Sequence, residues 1–169
     1  MREPHQRLND LPLAAARTAL ARCCGSQRWV EAMLARRPFV DTPQLLAASD
    51  EISAQLARED HLAAFAHHPQ IGADLDELRR KFATTAGLSA NEQAGARGAD
   101  EATLRALRDH NRAYLSRFGY IFIVCASGKS AAEMLALLEQ RLCNDPEIEL
   151  GIAAAEQAKI ARLRLENLT

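Results

Sequence analysis

The stretch "YIFIVCA", Tyr120 to Ala126, is where the fold class is decided. It is apolar, rich in β-branched and aromatic residues, and bounded by Gly119 and Gly128. By itself it reads as a buried strand. A strand needs a partner for its backbone groups, and no second β-prone run occurs in the chain. The segment is therefore read as extended or as a distorted helical stretch within a helical protein.

Working outward from it, the neighbours are helical. "DEATLRALRDHNRAYLSRFG" carries Leu104, Leu107, Tyr114 and Phe118 on one stripe and stops at Gly119. On the other side, "SAAEMLALLEQRL" opens with capping-box spacing at Ser130 and Glu133. "DPEIELGIAAAEQAKIARLRLENL" follows as a long final helix with Pro146 at its start. Towards the N-terminus, "LPLAAARTALARCCG" begins after Asp10 as N-cap and ends at Gly25. "SQRWVEAMLARRPF" runs from Ser26 to the residue before Pro38. "DTPQLLAASDEISAQLA" takes Thr42 as cap and Pro43 at its first helical position, and a short helix spans Glu59 to Ala66. From Gln70 to Leu88 the pattern is less periodic, with "DLDELRRKF" a helix candidate and "ATTAGLS" a loop. Ser89 and Glu92 then open a short helix that Gly95 and Gly98 end or weaken. The expectation is one all-α domain over residues 1–169, a bundle of seven or eight helices with an irregular apolar segment near 120–126.

Composition agrees. Ala, Leu and Arg are abundant and aromatics make up 5%, which favours helix over strand. A formal net charge of -1 argues against a basic nucleic-acid binder. The final helix is mixed in sign from Glu147 to Glu166, unlike a DNA-recognition helix. "MREPHQRLND" has no apolar signal region, and no run approaches membrane-spanning length. Cys23, Cys24, Cys125 and Cys143 form no C-x-x-C pair and read as reduced thiols. A cytoplasmic protein is expected.

Three places carry potential chemistry. In "AFAHHPQIG", Pro69 disfavours helical geometry for His68, which places that imidazole in a loop where it could exchange a proton near neutral pH. The structural alternative is a histidine bonding the last helix carbonyls, which suits His67. A metal site is not expected, because adjacent side chains diverge and no H-x-x-x-H spacing is present. In "SANEQ", Ser89 and Glu92 match a plain capping box, yet a helix N-terminus also favours an anionic or carbonyl-rich ligand. In "KIARLRLENL", Arg164 shares a face with Ile160 and Leu168, so its charge needs a partner: either a structural contact or a ligand carboxylate. Arg162 and Glu166 read as a solvated pair, the "RRK" run at Arg79 to Lys81 as a solvated face, and Trp29, Phe39 and Phe65 as core.

Together, "WVEAMLARRPF", "AHHPQIG", "SANEQAGA", "NRAYLSRFGYIFIVCASGKS" and "EQAKIARLRL" resemble, in order and spacing, the OHCU decarboxylase family of purine catabolism. The resemblance extends from Leu8 to Leu168. It implies an all-helical homodimer that decarboxylates 2-oxo-4-hydroxy-4-carboxy-5-ureidoimidazoline (OHCU) to S-allantoin with no metal or organic cofactor. It assigns His68, Glu92 and Arg164 as catalytic. It assigns Pro69, Ser89, Gln93, Phe122, Ile123, Val124, Cys125 and Ala126 as substrate-binding. The competing expectation is a non-catalytic helical interaction module with a degenerate pocket.

Overall fold

The structure is a computed structural model that describes residues 2–70, 72, 74–82 and 90–168, the side chains of 90–100 excepted. Among the described residues there are nine α-helices and no strand: α1 (Pro4–Asp10), α2 (Leu13–Cys23), α3 (Gln27–Ala35), α4 (Thr42–Ala54), α5 (Arg58–Ala66), α6 (Leu75–Phe82), α7 (Ala90–Phe118), α8 (Ala131–Leu142) and α9 (Pro146–Glu166). The segment after α7 has no regular secondary structure through Ala126. Gly119 turns the chain out of α7 at φ +79°, a conformation that glycine adopts without a Cβ clash.

Four boundaries differ from expectation, each for a local reason. Helix α1 was not anticipated; its start is marked by Pro4 in the first turn and by Gln6 accepting the Glu3 backbone N–H at 3.1 Å. Asp10 therefore ends α1 rather than capping α2, whose N-cap is Pro12 with no side-chain bond. Asp41, not Thr42, caps α4, accepting the Gln44 N–H at 2.7 Å. Helix α7 continues through Gly95 and Gly98 for 29 residues. A mid-helix glycine costs only about 0.5–1 kcal/mol against alanine, too little to break a helix with Ala94, Ala96 and Ala99 beside the glycines. The Ser130 and Glu133 capping box is present as read, its two bonds 3.2 and 2.7 Å long.

The chain divides into two compact units. The first comprises Met1–His68, Ile123–Cys125 and Leu150–Thr169. Its core contains Leu8, Leu20, Trp29, Met33, Leu45 and Leu165, each 0% exposed. Phe39 and Phe65 are buried too, as expected. The second comprises Pro69–Phe122 and Ala126–Glu149. There the predicted α7 stripe of Leu104, Leu107, Tyr114 and Phe118 is buried, with Leu138 of α8. Tyr114 stacks edge-on against Tyr120 and Phe122, at 5.9 and 5.2 Å between ring centroids. The "RRK" run is exposed, and Arg79 bonds Asp76 and Glu101.

Helix α9 has a buried line at i+4 spacing: Glu149, Ala153, Gln157, Ala161 and Leu165. Two of these five residues are polar. Glu149 lies in the second unit and Gln157 in the first.

Candidate active site

The first unit holds His68, Arg164 and Ile123–Cys125. Helix α5 ends at Ala66, and the two histidines beyond it differ in role. His67 is the C-cap, and its Nδ1 donates to the Ala63 carbonyl at 3.1 Å, as a helix-end histidine does. Its ring lies so near Gly25 that a Cβ there would come within 2.2 Å of the imidazole Cγ. Gly25 thus serves a close approach, beyond ending a helical sequence.

His68 donates its backbone N–H to Phe65 at 3.1 Å, and its half-buried ring turns to α9. There His68 Nε2 hydrogen-bonds Gln157 Oε1. Gln157 is 4% exposed, and its Nε2 has no partner among the described residues. Burial pushes the His68 pKa below its usual 6.5; the Gln157 bond opposes this, while the charges of Arg164 and His67 reinforce it. The imidazole is therefore predominantly neutral at pH 7.

Arg164 stands seven residues beyond Gln157, two helical turns along the same face of α9. Its Nη1 donates to the carbonyls of Arg22 (3.0 Å) and Cys23 (3.3 Å), closing the C-terminal end of α2. Arg164 itself is exposed, contrary to the expectation of a charge buried on an apolar face: only its stem shares that side of α9, so its charge stays solvated while Nη1 caps α2. Burial raises the Cys23 thiol to about 11 and also raises Cys24, so both stay protonated and unreactive at neutral pH. Arg162 forms the read pair with Glu166 at 3.5 Å and a shorter one with Asp50 at 2.9 Å.

The apolar segment meets α9 through Glu156. Its Oε2 accepts the Cys125 backbone N–H at 2.7 Å, and its Oε1 pairs with Lys159 at 2.6 Å. Ile123 is buried; Val124 and Cys125 are half-buried. In the second unit, Phe122 lies beneath the Arg141 guanidinium at 4.5 Å, and the Ala126 carbonyl accepts Lys129 N–H at 3.1 Å. Pro69 is exposed. Ser89 lies outside the described residues. Glu92 and Gln93 fall in the first turn of α7, and their side chains lie outside the description. Among the described residues no three His, Cys, Asp or Glu side chains are grouped to hold a metal ion. A cavity of about 390 Å³ lined by Arg2, His5, Asn9, Phe39 and others includes none of these residues.

Sequence reasoning named His68, Arg164 and the apolar segment but missed Glu156 and Gln157, which tie the segment and His68 to α9. One signal was available: Gln157 stands between Ala153 and Ala161 at i±4 spacing, a polar residue flanked by small apolar ones on its own face.

Comparison with known proteins bears on the family. A family model described as OHCU decarboxylase matches residues 9–166. The chain belongs to the OHCU decarboxylase family. Among relatives, it is 39% identical over 148 residues to the uric acid degradation bifunctional protein TTL of Arabidopsis thaliana, covering 86% of this chain but only 45% of that protein. It is 30% identical over 132 residues to the 2-oxo-4-hydroxy-4-carboxy-5-ureidoimidazoline decarboxylase of Amia calva, covering 78% of this chain and 74% of the relative. A crystal structure of OHCU decarboxylase in the presence of (S)-allantoin superposes with TM-score 0.69 at 35% identity, over 88% of this chain and 94% of the other. The all-helical architecture is thus the family's.

Proposed function

We propose that this chain decarboxylates OHCU to S-allantoin and carbon dioxide, as a single catalytic domain without metal or organic cofactor. Membership of the family supports the substrate class. The observation that carries the reading is the half-buried His68 ring, held on Gln157 of α9 just beyond the end of α5, with burial pushing its pKa down. In OHCU the carbon that loses carbon dioxide bears a hydroxyl and adjoins a ring imine. Breaking the carbon–carboxylate bond leaves its electron pair between the two ring carbons, and the imine nitrogen takes up the displaced pair with a proton. The enol-like intermediate then loses its hydroxyl proton to become a carbonyl, while the neighbouring carbon is protonated. The substrate is its own electron sink.

What the protein must supply is orientation and a proton on one face. Neutral His68 accepts the hydroxyl proton and returns a proton to the adjacent carbon; such transfer contributes about 10²–10⁴ in rate. Arg164 balances the substrate's negative charge. Glu92 holds the hydroxyl and ureido groups, while Ser89, Gln93, Pro69 and the backbone from Phe122 to Ala126 fix the ring. The Cys125 N–H is given to Glu156, which holds that segment on α9. We place the protein in the cytoplasm as a homodimer, as the family resemblance implies.

The test generates OHCU in situ from urate and follows allantoin by circular dichroism. His68→Ala should slow the appearance of S-allantoin by at least about 10²-fold. A variant as fast as wild type removes His68 from the mechanism. A matching sedimentation experiment reads the oligomeric state.

A further inference from the structure

We infer that Gln157 is the positioning residue of the site: it fixes His68 as the Nε2–H tautomer and thereby makes Nδ1 the nitrogen that exchanges the substrate proton. The inference rests on the proposed role of His68.

The geometry carries it. The Gln157 side chain is 4% exposed on the buried line of α9, so its amide cannot swing to solvent. Its Oε1 meets Nε2 of His68 across 89 residues of sequence. A carbonyl oxygen only accepts, so a neutral imidazole facing it must carry its proton on Nε2. Nδ1 then keeps the lone pair, and it makes no hydrogen bond among the described residues. The neighbours of the ring do not compete for that role: the Arg164 guanidinium has donors only and no lone pair to take a proton, and His67 Nδ1 donates to the Ala63 carbonyl. Burial keeps the Cys23 and Cys24 thiols protonated.

The other end of the amide strengthens the case. Gln157 Nε2 is buried with no partner among the described residues. A buried donor without an acceptor is costly, and native proteins keep few of them. Its place on the same amide that holds His68 puts any acceptor it takes beside that imidazole. A residue serving packing alone would be better replaced by leucine, which fills similar space without a polar group to satisfy.

The experiment has two independent readouts. In protein labelled with ¹⁵N-histidine, the neutral His68 signal, assigned by its loss in His68→Ala, is expected as the Nε2–H tautomer in wild type and as a mixture in Gln157→Leu. In kinetics, Gln157→Leu should lower kcat by about 10- to 100-fold with little change in KM, the range seen when a partner orienting an imidazole is removed. Gln157→Glu keeps an acceptor and adds a charge that favours imidazolium. It should therefore raise the acidic limb of the kcat profile by about one pH unit. A wild-type Nδ1–H tautomer overturns the inference, and that measurement needs no Gln157 variant to fold. A Gln157→Leu enzyme with wild-type tautomer and kcat also overturns it. Full activity in His68→Ala would instead sink the reading of His68 and leave the tautomer result standing.

Discussion

Glu149 and Gln157 occupy the same buried line of α9, yet the two sites are finished differently. Glu149, 0% exposed, is saturated: Oε1 accepts from the Tyr114 hydroxyl and from Arg141 Nε at 2.7 Å, and Oε2 from Asn144 Nδ2 at 2.8 Å. Gln157 has one filled and one empty end. A satisfied buried network fixes a fold; a buried amide with a donor unpartnered among the described residues, beside a titratable imidazole, is the kind of exception that calls for a functional explanation. The difference separates a structural from a functional use of the same kind of position.

The comparison can be broken most severely at Glu149. Glu149→Gln leaves the Arg141 guanidinium, buried on the same network, without its counter-charge, and should cost about 3–5 kcal/mol in urea unfolding. Turnover per folded molecule should stay near wild type. A large catalytic loss without destabilisation would erase the distinction between the two sites.

The next effect is on pH. Because burial lowers the His68 pKa, the neutral imidazole persists through pH 6.5, and kcat/KM should begin to fall only below it, by about tenfold per pH unit. The unfolded chain binds the proton more readily than the folded one in that window. Protonating His68 therefore also reduces stability as pH falls below 6.5. An acidic limb above 6.5 contradicts this.

Smaller still, Tyr114→Phe removes one of the Glu149 donors and should cost about 1–2 kcal/mol in the same unfolding experiment, with Arg141 and Asn144 still in place. Gln157→Leu should change stability by less than about 1 kcal/mol, since it deletes an unpartnered donor together with one hydrogen bond. A loss beyond about 3 kcal/mol there would make Gln157 structural, like Glu149.

Much of the fold was readable in advance because helices are local. The Tyr114 stripe, the Ser26 and Ser130 caps and the Gly119 stop each depend on residues within a few positions, as do the irregular backbone and glycine borders of "YIFIVCA". Local signals failed where two were close in strength. Asp41 and Thr42 are both good caps, and two glycines among alanines do not outweigh the rest of α7. The separate roles of His67 and His68 were legible from Pro69 alone.

The sequence by itself determined that this chain is helical and that it belongs with the OHCU decarboxylases, and it singled out His68 and Arg164 as candidates. Tertiary structure alone decided what those groups touch. Gln157 reaches His68 over 89 residues and Arg164 reaches the Cys23 carbonyl over 141. No periodicity encodes which distant partner a buried polar group will find. That choice is made when the α9 line is buried, because a polar group removed from water must take its partner from whatever the fold has brought beside it.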